Sequence, residues 1–346
     1  MYFNITADVG DGITGYFVPD SFSGKSVVRI EHGQGPPLLF DANWAIPSLV
    51  DVGRHETGLC GFRLDDVTIP GLAGIVDLEI HDPYTGLRLY RRRPPEAVVK
   101  AKLFRLETHL TPLSALDAAL DRHFQYHYAG IERLGHETAA QIFLLDCAES
   151  SYASGRLLLK SYEFYLENRG FETICMLRDP FDELAERLIV LKQVTEAESS
   201  ALDERDRTLF EPGLEFVAAL DLSDDRQLGR AFRSVSRADA MVFTDPLVRS
   251  LTARTPDEFA RDASVASALQ TLSTFAVVGL REYPDHFSES LSATLGLDPA
   301  TLPVVGEVEA VVELGRRLRA IGSVKSLLEY DIEVHGQVKT ALEKLL

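Results

Sequence analysis

Arg178, Asp179 and Pro180 lie between an apolar run, "FETICML", and a helix-patterned run, "FDELAERLIVL". An arginine at the carboxyl end of a buried strand, beside a helix N-terminus, is placed to make bidentate contacts with a phosphate. The same guanidinium can instead pair with Asp179, Asp182 or Glu186. Asp179 and Pro180 are explained without a ligand. Aspartate caps helices, proline is favoured at the first helical position, and Asp182 and Glu183 suit the positive end of the helix dipole. Phe181, Leu184, Ala185, Leu188 and Ile189 recur at helical spacing, which marks them as core.

Two further groups have the types and spacing for chemistry. His123 and His127 are four apart in a helix-patterned stretch, a spacing that can share a metal. No third ligand follows at a recognisable interval, so a half-exposed helix face is the expectation and no metal site is assigned. Ser150, Ser151 and Ser154 offer hydroxyls without a G-x-S-x-G elbow, and read as a hydroxyl-rich loop.

The chain that must position these residues has 346 of them, enough for two domains. Its 45% hydrophobic and 25% charged residues fit a globular protein. With 35 Lys and Arg against 53 Asp and Glu, the net charge of −18 disfavours nucleic acid and anionic lipid as partners. The longest basic run, "RLYRRRPPE", reads as the end of a strand and a stiff linker with solvated charges. Cys60, Cys147 and Cys175 are too scattered for a disulfide framework or zinc ribbon and suggest a reducing compartment. Cys147 and Cys175, in apolar strand-like runs, read as small buried hydrophobes. The start "MYFNITADVGDG" lacks the features of a secretory signal, and no apolar stretch approaches the roughly 20 residues that span a bilayer. A cytoplasmic protein is expected.

Residues 1–95 carry short apolar runs broken by Gly, Pro, Asp and Asn, the pattern of an antiparallel β-sandwich of six to eight strands. Trp44, the sole tryptophan, reads as core, although it could stack on a sugar face. Residues 96–346 alternate strands and helices, the pattern of a parallel α/β sheet. "AKLFRLET", "QIFLLDC", "FETICML" and "FAVVGL" read as strands. "PLSALDAALDRHFQYHYAGIERL", "RLLLKSYEFYLENRG" and "FDELAERLIVLKQ" read as helices, with "AESSYASG" a loop. Most of the remainder reads as helical, and the charged run "ESSALDERDR" as a solvated helix or lid-like loop.

Several segments in order carry a resemblance. "ICMLRDPFDELAERL" resembles the strand–Arg-Asp-Pro–helix of P-loop-type sulfotransferases, particularly those that act on carbohydrates. "TDPLVRSLTA" resembles their Asn-Pro-x-x-Arg-x-Leu segment, "FAVVGLREYPDHFSESLSATLGL" their Val-Gly-x-x-Glu strand and helix, and "LLEYDIEVHGQVKTAL" their final helix. The N-terminal pieces "GYFVPD" and "GLCGFRLDD" resemble a β-sandwich module attached to bacterial polysaccharide-building transferases. The resemblance implies a sulfotransferase-like (P-loop-type) α/β domain, 3′-phosphoadenosine-5′-phosphosulfate as donor, and a glycan or lipid-linked saccharide as acceptor. It also implies a place in surface-polysaccharide biosynthesis, alone or as a homo-oligomer or assembly partner.

By position in that family, Arg178 would hold the 3′-phosphate, while Thr108, Thr111 and Arg156, with Ser154 and Gly155 opening a helix, would hold the 5′-side. His109 would be the base. The family's lysine and flexible glycines are absent from "LFRLETHLTPLSAL", and Glu186 replaces a hydroxyl. Those departures leave two alternatives: a non-catalytic relative that binds glycan or an assembly partner, and a sugar-nucleotide glycosyltransferase.

Overall fold

The structure, a computed structural model, describes every residue except 22, 23, 34, 147 and 198–201. Cys147 and the start of "ESSALDERDR" therefore lie outside the described residues. The chain divides into two compact units, Met1–Leu103 with Asp117–Ala153 and Tyr165–Phe171, and Phe104–Leu116 with Ser154–Phe164 and Glu172–Leu346.

The first unit opens with eight strands, β1 (Tyr2–Asp8), β2 (Gly12–Val18), β3 (Val27–Glu31), β4 (Leu38–Asp41), β5 (Trp44–Ala45), β6 (Leu59–Asp65), β7 (Leu78–His81) and β8 (Arg88–Arg92). They form two four-stranded antiparallel sheets, ordered β1-β2-β6-β5 and β4-β3-β7-β8. The strand count and antiparallel pairing match the expected sandwich. A five-residue helix, α1 (Pro47–Asp51), interrupts them.

Two expectations in this unit are corrected. Trp44 is 51% exposed rather than core. It stands on a two-residue edge strand, both of whose residues are exposed, while Val18, Leu49 and Cys60, with Ile46 packed against them, form the small core cluster nearby. The basic run is not a solvated linker. Arg91 is buried and donates to Asp121 at 3.1 Å and the Gln125 carbonyl at 3.3 Å, while Arg92 grips Asp8 with two donors at 2.6 and 2.7 Å. Burying a guanidinium is tolerable only with such partners.

Five strands make the parallel sheet, β9 (Lys102–Leu106), β10 (Tyr126–Tyr128), β11 (Ser151–Gly155), β12 (Glu172–Leu177) and β13 (Val277–Leu280), ordered β10-β11-β9-β12-β13. The expected strands at 101–108, 171–177 and 275–280 are present. The sequence between them is organised differently. The long helix expected from 112 stops early as α2 (Ser114–Asp121), and "YHY" becomes β10. His123 and His127 thus share no helix. His127 Nε2 lies 2.8 Å from the Asp117 carbonyl, and its ring stacks on Tyr152. "QIFLLDC" begins inside α3 (His136–Phe143) rather than forming a strand, and the buried strand is the supposed loop, β11. α4 (Glu163–Asn168) is shorter than expected.

The remaining helices belong to the second unit: α5 (Pro180–Ala197), α6 (Glu204–Ala218), α7 (Asp225–Arg233), α8 (Arg237–Phe243), α9 (Pro246–Thr252), α10 (Asp262–Leu272), α11 (Pro284–Leu295), α12 (Glu309–Leu318), α13 (Gly322–Leu327) and α14 (Glu329–Leu342). Asp179 Oδ1 accepts from the Phe181 amide at 3.0 Å, so it caps α5 as its residue type dictates. Phe181, Leu184 and Leu188 enter a core shared with Phe210, Phe243 and Leu318. Among the described residues, no helix is long and apolar enough to cross a membrane.

Gly279 shows how tightly β13 meets α11. A Cβ there would lie 2.3 Å from Phe287 Cδ2 and 2.7 Å from Phe287 Cβ. Gly279→Ala is expected to destabilise the protein by about 1–3 kcal/mol through overpacking. The check is a lowered urea midpoint with an unchanged m-value.

Candidate functional site

Parallel strands deliver their successors to one edge, and four of these do so here. Glu107, Thr108 and His109 follow β9, Arg156 follows β11, Arg178 and Asp179 follow β12, and Arg281 and Glu282 follow β13. This carboxyl edge is where open α/β sheets bind ligands. All of the geometry below lies within the second unit.

Glu107 organises the turn after β9. Its carboxylate accepts from Arg105 at 2.6 Å, His109 Nδ1 at 2.8 Å and the Leu113 amide at 2.9 Å. Burial opposes the charged form, but the Arg105 guanidinium and His109 outweigh it and hold the acid well below the usual carboxylate range. His109 itself is fully buried, with Nε2 lacking a hydrogen-bond partner among the described residues. Thr108 donates to the Met176 carbonyl at 2.9 Å. Thr111 is exposed, and its amide is committed to Glu186 at 3.2 Å.

Arg178 is the centre of a buried ionic chain. Its guanidinium meets Glu186 at 2.9 Å, Glu307 at 3.2 Å and Glu183 at 4.0 Å. Glu307 also pairs with Arg281 at 3.2 Å, and Glu183 with Arg187 at 2.9 Å. Burial works against the arginine's charge, yet Glu186, Glu183 and Glu307 raise its pKa further. Burial raises Glu183; burial also opposes the charged form of Glu186, but the charge and hydrogen bond of Arg178, with the Thr111 amide, together lower it. Of the partners read from sequence, Glu186 is the one engaged. Glu307 is 129 residues away in the chain.

Beside this chain a cleft of about 500 Å³ opens. Thr108, Arg156, Arg187, Arg205 and Arg249 supply much of its polar lining, and Leu157, Phe210, Met241 and Pro246 part of its apolar wall. Thr108 and Arg156 are thus brought together in the cleft. His109, Thr111, Ser154, Gly155 and Arg178 are not among its lining residues. Ser154 and Gly155 end strand β11 instead of opening a helix. Arg156 is tied to the Leu110 carbonyl at 2.7 Å and to Asp206.

Arg249 is the cleft's distinctive cation. It donates to the Glu258 carbonyl at 2.9 Å, to Pro256 at 2.5 Å and to the Met241 carbonyl. It has no carboxylate within ion-pair distance among the described residues. Burial and the nearby Arg187 charge lower its pKa. Two guanidiniums that repel one another in a concave, half-apolar site favour an anion between them. Arg249 was not singled out from sequence. Arg249 does fall in the quoted "TDPLVRSLTA", where the Pro-x-x-Arg spacing was the available signal.

No protein-family model matches the chain, and no curated protein matches it. Among solved structures, it is similar to a sulfotransferase from Alicyclobacillus acidocaldarius, 14% identical with a TM-score of 0.34, over 68% of this chain and 97% of that one.

Proposed function

We propose that the second unit is a sulfotransferase-like enzyme that takes 3′-phosphoadenosine-5′-phosphosulfate in the arginine-lined cleft and passes the sulfuryl group to a glycan hydroxyl. Surface-polysaccharide biosynthesis is the setting in which such an acceptor arises. The observation that carries this reading is Arg249, a mostly buried guanidinium with no carboxylate within ion-pair distance among the described residues, facing the same cleft as Arg187, Arg156 and Thr108. A volume near 500 Å³ with an apolar wall and, among the described residues, four arginines against two lining carboxylates, Glu107 and Asp257, has the dimensions and net positive lining a nucleotide requires. Arg249 and Arg187 would hold the phosphates, Thr108 and Arg156 would border them, and the apolar wall would receive the base. In this assignment Arg178 stiffens the site through its acidic partners and does not touch the donor.

A second reading draws on His109. Its imidazole is buried behind Glu107 and does not line the cleft. A fold relative that retains the anion site but binds a glycan partner without transfer fits that enclosure.

Isothermal titration with 3′,5′-adenosine bisphosphate tests the site. Wild type is expected to bind, and Arg249→Ala and the more exposed Arg205→Ala to weaken binding at least tenfold, or about 1.4 kcal/mol. Absence of binding at millimolar ligand defeats the proposal. Binding of sugar nucleotides alone selects a glycosyltransferase. Binding without sulfuryl transfer to saccharide acceptors selects the non-catalytic reading.

A further inference from the structure

At the same sheet edge, but outside the cleft, Asp179, Glu282 and His335 converge. Asp179 follows β12, Glu282 follows β13, and His335 projects from α14. One ligand atom from each lies within 4.8 Å of the others, close enough for small side-chain movements to gather them around a single cation. The geometry points to a divalent metal site that ties the last helix to the ends of two adjacent strands.

The imidazole is the independent observation. His335 is 5% exposed, and its Nε2 has no hydrogen-bond partner among the described residues, although Glu282 Oε1 stands 3.3 Å away. The Glu282 contact is an ion-pair distance without good hydrogen-bond alignment, and a cation shared with the two carboxylates would give the buried ring nitrogen a properly directed bond. One nitrogen and two carboxylate oxygens suit Zn²⁺, and Mn²⁺ less strongly. Mg²⁺ and Ca²⁺ favour all-oxygen sets. Three protein ligands leave room for water at the remaining position.

Two cations compete for these acids. Arg319 lies 2.5 Å from Asp179 Oδ2, and Lys339 lies 3.5 Å from Glu282 Oε1. Arg319 also covers the Phe181 ring, with its guanidinium carbon 4.6 Å from the centroid, so it is structurally engaged. Lys339 is the more expendable competitor, and its removal should favour the metal.

The test titrates the full chain, stripped with chelator, with Zn²⁺ by calorimetry and with Co²⁺ by visible absorption. Wild type is expected to bind one equivalent, to show cobalt d–d bands, and to unfold at a higher temperature with Zn²⁺. Glu282→Gln, which changes a partly exposed side chain, and His335→Gln should each weaken binding at least tenfold. Lys339→Gln should tighten it severalfold. Equal Zn²⁺ affinity in wild type and in Glu282→Gln would overturn the assignment. So would a response to Mg²⁺ or Ca²⁺ that His335→Gln leaves unchanged.

Discussion

Arg178→Ala is expected to cost about 3–5 kcal/mol of stability, the loss characteristic of breaking a buried ionic network by removing one partner. The arginine is 5% exposed and is the common counter-charge for Glu183, Glu186 and Glu307. Without it, Glu183 and Glu186 remain buried, with Arg187 as the nearby cation for the first. Lysine at this position carries the charge but lacks the planar fork that reaches Glu186 and Glu307 together, so Arg178→Lys should fall between wild type and alanine. Pairing Arg178→Met with Glu186→Gln should recover part of the loss, with a coupling energy of about 0.5–3 kcal/mol. Denaturant unfolding of wild type, Arg178→Met, Glu186→Gln and the double variant measures this directly. The opposite outcome is equally definite. An alanine variant as stable as wild type that no longer binds 3′,5′-adenosine bisphosphate would make Arg178 a ligand group, and the ionic chain incidental.

This arginine marks the boundary of what the sequence makes legible. Its strand, its turn and the capping of α5 are all local, and each follows from residue type and spacing. Its partners are not local. Glu186 sits two turns on and was visible from Arg178, but Glu307 arrives from a loop 129 residues later. Arg249 illustrates the same point for the cleft. Its motif was readable, but that no carboxylate comes within ion-pair distance among the described residues is a property of packing. The errors in secondary structure have a single physical origin. "SYASG" is four small residues around Tyr152 and reads as a loop, yet it is a fully buried strand because neighbouring strands cover it. "QIF" has a strand's composition but completes a helix whose Ile142 and Phe143 are buried. Short apolar runs do not encode period, and tertiary burial overrides composition there.

Asp331→Asn is expected to raise stability at pH 8 by on the order of 3 kcal/mol and to erase much of its pH dependence above pH 4. Asp331 and Asp245 cap each other's helices. Asp331 accepts from the Leu247 and Val248 amides at 3.0 and 2.8 Å, and Asp245 accepts from the Tyr330 and Asp331 amides at 2.9 and 3.1 Å. Asp245 also adopts a left-handed backbone, φ 41°, the one positive φ outside glycine among the described residues. Burial and the Asp245 charge raise Asp331 to about 8, and burial also raises Asp245. The folded state therefore holds protons that the unfolded chain releases near its ordinary value of 3.8. Stability from this pair is fully present at low pH and declines as pH climbs toward 8. Asparagine keeps an oxygen for one of the two α9 amides, each of which the carboxylate meets with its own oxygen, and removes the charge repulsion with Asp245. The wild-type minus variant difference in Tm, scanned from pH 4 to 9, cancels every other titration. It should be near zero at pH 4 and reach about 6–12 °C in favour of the variant at pH 8. A flat difference would mean that the two carboxylates do not share a proton in the folded state, and that the backbone amides alone satisfy both charges.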